Sequence, residues 1–149
     1  MMTLRSIYLA ILVICVGSLA TANAFAGSPQ DDVKNAFAAW DAAFNKGDAK
    51  AIAAFYADDA IFLPATHEVI KGPAGVEKFF SGVLGIGATG HKLDPIEAHG
   101  DGNLLFGAAK WSANGKDANG KDQPWGGLTT VIFERQSDSG LKIKLHTFN

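Results

Sequence analysis

From residue 89 onward the chain is a run of strand-length segments divided by turn formers, and no other feature restricts the fold so strongly. "HKLDPIEAH", "NLLFGAAKWSA", "WGGLTTVIFER" and "LKIKLHTFN" are separated by Gly100-Asp101-Gly102, by the tract 114–122 and by Asp138-Ser139-Gly140. Gly, Asn and Asp between segments of this length predict an antiparallel meander. The earlier half carries a different period. Val33, Ala36, Phe37, Trp40 and Phe44 recur at i, i+3, i+4, i+7 and i+11, which is one apolar stripe along a helix. Ser28 is a natural N-cap and Pro29 suits the first helical position. Asp31 and Asp32 put negative charge where the helix dipole favours it. Gly47 suits the left-handed residue after the helix, and Asp48 caps a second, shorter helix through Ile52, Phe55 and Tyr56. Ala60 to Leu63 and Val69 to Lys71 read as two short strands joined by a turn at Pro64. Gly72-Pro73 opens a third helix with Val76, Phe79, Phe80, Val83 and Leu84 on its stripe. Helices first and strands last predict an α+β domain, with helices packed on one face of a curved antiparallel sheet. In the last strand Leu141, Ile143 and Leu145 alternate with Lys142, Lys144 and His146. The apolar set is expected to face the helices, and His146 to point towards solvent or a second subunit.

The first 26 residues stand apart. Arg5 precedes an uncharged apolar run from Ile7 to Ala20, and Ala22-Asn23-Ala24 and Ala24-Phe25-Ala26 follow as small-residue cleavage sites. This order is that of a secretory signal peptide, cleaved after Ala24 or Ala26. The apolar run falls short of the ~20 residues that a membrane-spanning helix needs. The expected product is an exported domain over 27–149, periplasmic or secreted. Cys15 leaves with the leader, so the domain holds itself together by core burial without disulfides. It keeps 12 basic and 15 acidic side chains, a formal charge of −3. The basic residues are scattered, which argues against nucleic acid as a partner. No helix joins a cationic face to a broad apolar one, which argues against a membrane partner after cleavage.

Candidate chemistry is thinly spread. His67-Glu68 lies in the turn between the two short strands, where a carboxylate beside an imidazole could shuttle a proton. Neighbours in an extended chain point to opposite sides, so a solvated turn is the plainer reading. His91 and Asp94 open the first long strand, and His99 and Asp101 close it. His91 and His99 share strand parity, but Pro95 signals a bulge or an edge between them. A metal is not implied: "HEVIK" ends in Lys71 where a zinc helix would carry its second His. "NGKDANGKDQ" offers carboxylates and amides in tandem but not the spacing of a calcium loop, and reads as a long solvated hairpin loop. The aromatic set is more telling. Trp40, Phe44, Tyr56, Phe62, Phe80, Trp111 and Trp125 fall on elements that surround one interior, as core packing or as the wall of an apolar pocket. Trp111 and Trp125 could instead pair across strands.

Several segments together resemble a known family. "WDAAFNKGDAKAIAAFYADDAIFLP" (Trp40 to Pro64) resembles the helix-Gly-Asp-helix-strand opening of the NTF2-like superfamily, in its SnoaL-like, DUF4440 and ketosteroid isomerase-like branch. "VIKGPAGVEKFF" resembles its Gly-led third helix and "GLKIKLHTFN" its closing strand, with Leu141 where a Trp is common. The resemblance implies a cone of three helices on a curved sheet, with a short hairpin before the third helix, an apolar pocket and often a homodimer. It does not imply one activity. By the same resemblance, the isomerase's hydroxyl-donating tyrosine falls on Trp40, its base on Leu63 or Pro64, and its neutral carboxylic acid near Thr130. Neither Leu63 nor Pro64 can accept a proton, and Thr130 is no acid. The expected pocket comprises Trp40, Phe44, Tyr56, Leu63, Phe80, Trp111 and Thr130, and holds a small hydrophobic or aromatic ligand without a cofactor. Its expected role is binding, with no assignable catalysis. The alternatives are a cyclase, dehydratase or isomerase using His91, Asp94 or His67, and a dimeric protein-interaction module.

Overall fold

The computed structural model describes residues 27–149, so the expected leader and its expected cleavage sites lie outside the described residues. Helix α1 spans Pro29–Asn45. Ser28 Oγ accepts the Asp31 N–H and donates to the Asp31 carboxylate, which closes the first turn. Gly47 follows in the left-handed conformation (φ 71°), and Asp48 accepts the Ala51 N–H to start α2. Helix α2 is shorter than the sequence pattern predicts: it ends at Ala53, and Tyr56 already opens strand β1 (Tyr56–Leu63). A five-residue helix is too short to hold its own against strand pairing, and Tyr56 gains a partner in the last strand. Strand β2 (Ile70–Lys71) pairs antiparallel with β1, and α3 (Gly72–Gly85) follows directly.

Strands β3 (Thr89–Asp101), β4 (Leu104–Lys116), β5 (Asp122–Arg135) and β6 (Leu141–Phe148) form the meander. The sheet has six strands in the order β2-β1-β6-β5-β4-β3. It is mixed rather than wholly antiparallel, because β1 runs parallel to β6. The two ends of the repeat tract are strand: Asn114, Gly115 and Lys116 pair with Pro124, Gln123 and Asp122. Only 117–121 is left as a turn, in which Asp117 Oδ1 accepts the N–H groups of Asn119 and Lys121 at 2.8 Å each.

Three irregularities aim side chains that strict alternation would have aimed elsewhere. In β6, Phe133 of β5 faces Ile143 while Ile132 faces Leu145, so Lys144 is an extra residue. This bulge reverses the parity of every later residue in the strand. Ile143 and His146 are both buried, and Leu145 turns to the outer face. The expectation that His146 points outward is therefore corrected. In β3, Gly90 and His91 together oppose one residue of β4, with Gly90 left-handed (φ 65°), which is the bulge that a leading glycine permits. A further shift at Ile96, beside Pro95, removes the shared parity of His91 and His99.

The inner face of the sheet closes on α1 and α3. Val33, Phe37, Trp40 and Phe44 of α1, Val76 and Phe80 of α3, and Tyr56 and Phe62 of β1 are each at most 5% exposed. Gly107 of β4 lets α1 approach: a Cβ there would stand 2.5 Å from Val33 Cγ1. Arg135 and Asp32, joined at 2.6 Å, tie β5 to the first turn of α1.

Candidate functional site

The helices do not fill the concave face of the sheet. A cavity of about 380 Å³ remains, walled by Trp40 and Phe44 of α1, Phe80 of α3, and Trp111, Trp125 and Phe148 of the strands. The rings brace one another. Trp40 meets Phe80 edge-on at 5.2 Å between centroids, and Trp111 meets Phe148 edge-on at 5.4 Å. Trp125 lies over Gly115, where a Cβ would fall 1.9 Å from the indole. Trp111 and Trp125 do not oppose each other across β4 and β5: their partners are Gly127 and Ala113.

Two histidines reach this wall, and they are held in opposite ways. His146 Nδ1 is 2.6 Å from the Tyr56 hydroxyl, and its Nε2 is 3.0 Å from Thr129 Oγ1. Thr129 already donates to the Thr147 carbonyl, so it accepts from His146 Nε2–H, and Tyr56 donates to Nδ1. A neutral imidazole satisfies every partner. Burial, reinforced by the charge of His91, drives the His146 pKa down to about 3. Burial likewise raises the Tyr56 hydroxyl far above its ordinary range, a shift that the Trp40 N–H partly offsets. Trp40 Nε1 makes no hydrogen bond and is sealed from solvent, the one such side-chain atom among the described residues.

His91 is held from one side only. Its Nδ1 is 2.7 Å from Asp41 Oδ1, and Asp41 Oδ2 accepts the Leu93 N–H at 2.9 Å. Four residues on, Asn45 grips the His91 backbone twice, accepting its N–H and donating to its carbonyl at 2.8 Å each. Asp41 and Asn45 therefore clamp β3 to α1 from one helix face. The ring sits 4.8 Å from Trp40 and from Phe44, and stacks at 10° on Trp111. A carboxylate only accepts, so Nδ1 carries the proton; Nε2 has no partner among the described residues, and in the neutral ring it offers a lone pair.

Of the candidate residues singled out in the sequence, Trp40, Phe44, Phe80, Trp111, Trp125 and His91 come together at the cavity. The rest do not. Tyr56 stands behind the wall, bonded to His146. Leu63 is out of phase with the buried Ala60 and Phe62, and Thr130 faces outward because Thr129, Val131 and Phe133 take the inner positions of β5. Asp94 is exposed and paired with Lys92, and His99 is exposed beside Glu97. His67 is an exposed turn residue at φ 64°. Asp41 and Thr129 are site residues that the sequence pattern does not single out, and His146 is one that the pattern turned to the wrong face. Asp41 alone leaves a trace there, as a carboxylate four residues after Phe37 on the apolar stripe of α1.

The model of the SnoaL-like domain matches residues 37–143. The chain belongs to the SnoaL-like family. Its fold is that of the NTF2-like superfamily. A ketosteroid isomerase-like protein from Erwinia carotovora atroseptica superposes with a TM-score of 0.70 at 15% identity, over 79% of this chain and 92% of that one. An NTF2-like superfamily protein from Salmonella enterica serovar Typhimurium gives 0.69 at 17% identity, over 80% and 89%. An NTF2-like protein with a cystatin-like fold from Novosphingobium aromaticivorans gives 0.67 at 14% identity, over 80% of each chain. At such identities the likeness is one of fold. No curated protein matches the SnoaL-like chain.

Proposed function

We propose that this SnoaL-like chain is an exported binding protein for a small, apolar, ring-bearing molecule. The observation that carries this is the 380 Å³ cavity with its wall of tryptophan and phenylalanine. It has the size and lining of a small-molecule site. The polar side chains of His146 and Thr129 in its wall are already engaged with each other, with Tyr56 behind them and with the Thr147 carbonyl. A screen of apolar ring compounds by thermal denaturation tests the reading, since a ligand at 100 times its Kd adds about 2.7 kcal/mol of stability. A library that shifts nothing refutes it. Export is supported by the order of charge, apolar run and small residues in the first 26 positions, and N-terminal sequencing of the secreted chain tests it.

A homodimer is supported by the outer face of the sheet. Ile61, Leu145, Ile132 and Phe106 align in register across four strands as one apolar row, and Ile61 and Phe106 are about 40% exposed.

The Asp41–His91 pair favours a second reading, in which the cavity is a catalytic site. His91 Nε2 would take a proton from the bound molecule while Asp41 steadies the resulting imidazolium. Turnover abolished in His91→Ala, with ligand binding retained, would favour this reading over binding alone.

A further inference from the structure

We propose that the cavity selects ring compounds bearing a hydroxyl group, and that His91 Nε2 is the atom that receives the hydroxyl proton in a hydrogen bond. This rests on the binding reading above and adds a chemical class to it. The inference comes from which polar groups of the wall are still available. His146 has both ring nitrogens engaged, Thr129 donates to Thr147, and the Trp111 N–H donates to the Asn149 carbonyl at 3.0 Å. The Trp40 N–H is sealed away from the cavity. Thr66, at the rim, is exposed and donates to Glu68. Among the described residues the wall then keeps two unengaged side-chain groups, the Trp125 N–H, a donor, and His91 Nε2, its one unpaired acceptor.

Asp41 sets that polarity. By holding Nδ1–H it fixes the tautomer in which Nε2 is bare, and the Asn45 clamp with the ring contacts to Trp40, Phe44 and Trp111 fixes where the lone pair points. A ligand carbonyl or ether oxygen brought to this point would set lone pair against lone pair. A hydrocarbon would bury the lone pair without a partner. An O–H on an aromatic or alicyclic ring meets it correctly, with the ring against the aromatic wall. A site built to pair with a hydroxyl discriminates against the analogue that lacks one, because its own polar atom is then left unpaired.

The test compares β-naphthol with its methyl ether, which has the same rings but no donor, by quenching of tryptophan fluorescence. The wild-type protein should bind the naphthol about tenfold more tightly, the scale of one neutral hydrogen bond in an apolar site. His91→Phe keeps an aromatic ring in the wall and removes the acceptor, so it should bind both probes alike, near the wild-type affinity for the ether. Ether binding also reports that the variant is folded; if His91→Phe binds neither probe, His91→Leu replaces it. Equal binding of the two probes by the wild type, or a preference for naphthol that survives loss of His91, overturns the proposal. Failure of the wild type to bind either probe is a different result: it overturns the pocket reading and this inference with it.

Discussion

Acidification from pH 7 to pH 5 is expected to destabilise the protein through His146 in particular. Its ring is 7% exposed and bonded on both nitrogens as the neutral form. A second proton would turn Nδ1 into a donor, so the Tyr56 hydroxyl would have to give up its own bond to accept it, and a charge would be buried. The folded pKa is about 3 against 6.5 for an unhindered histidine. Because the folded value is depressed, the unfolded chain takes up the proton first as the pH falls. The stability linked to this group is therefore complete above about pH 6.5 and declines towards pH 3. Each unit in that window removes about 1.4 kcal/mol, so the drop from 6.5 to 5 removes about 2 kcal/mol. Urea unfolding of wild type and His146→Gln at both pH values isolates this contribution, since all other titrating groups are common to the two proteins. Wild type should lose about 2 kcal/mol more than the variant. Equal losses would mean that His146 is protonated in the folded state, and the bonding scheme around it would be wrong.

Tyr56→Phe leaves His146 Nδ1 buried without a donor, and should cost about 1–3 kcal/mol in the same urea assay at pH 7. Gly115→Ala forces the Trp125 indole out of its seat and should weaken binding of any ring ligand, at a stability cost of about 1–3 kcal/mol. Ile132→Lys places a charge in the middle of the outer apolar row; light scattering should show a dimer for wild type and a monomer for this variant. A wild-type monomer would end the dimer proposal.

The order of elements was legible because each signal was local. The α1 stripe, the Ser28 and Asp48 caps and the Gly- and Asp-rich turns all depend on neighbouring residues. The candidate site was legible where it is made of large rings, as at Trp40, Phe44, Phe80 and Trp111. It was illegible where one extra residue in a strand decides the facing. Nothing in "LKIKLHTFN" marks Lys144 as the bulge, yet that bulge carries His146 from the outer face to the inner one. Thr129 and Thr130 are alike in type, and only the pairing with β4 tells them apart. The parallel pairing of β1 with β6 joins residues 84 to 87 positions apart, beyond any local pattern. Asp41 and His91 lie 50 positions apart, and a polar residue on an otherwise apolar stripe was the one visible sign that something across the fold required it.

The most direct measurement is a crystal structure of the protein grown with β-naphthol. The account predicts density for the two rings between Trp40, Phe80 and Trp111, with the hydroxyl oxygen about 2.7–2.8 Å from His91 Nε2. A cavity closed by collapsed side chains, or naphthol bound only on the outer face of the sheet, would contradict it.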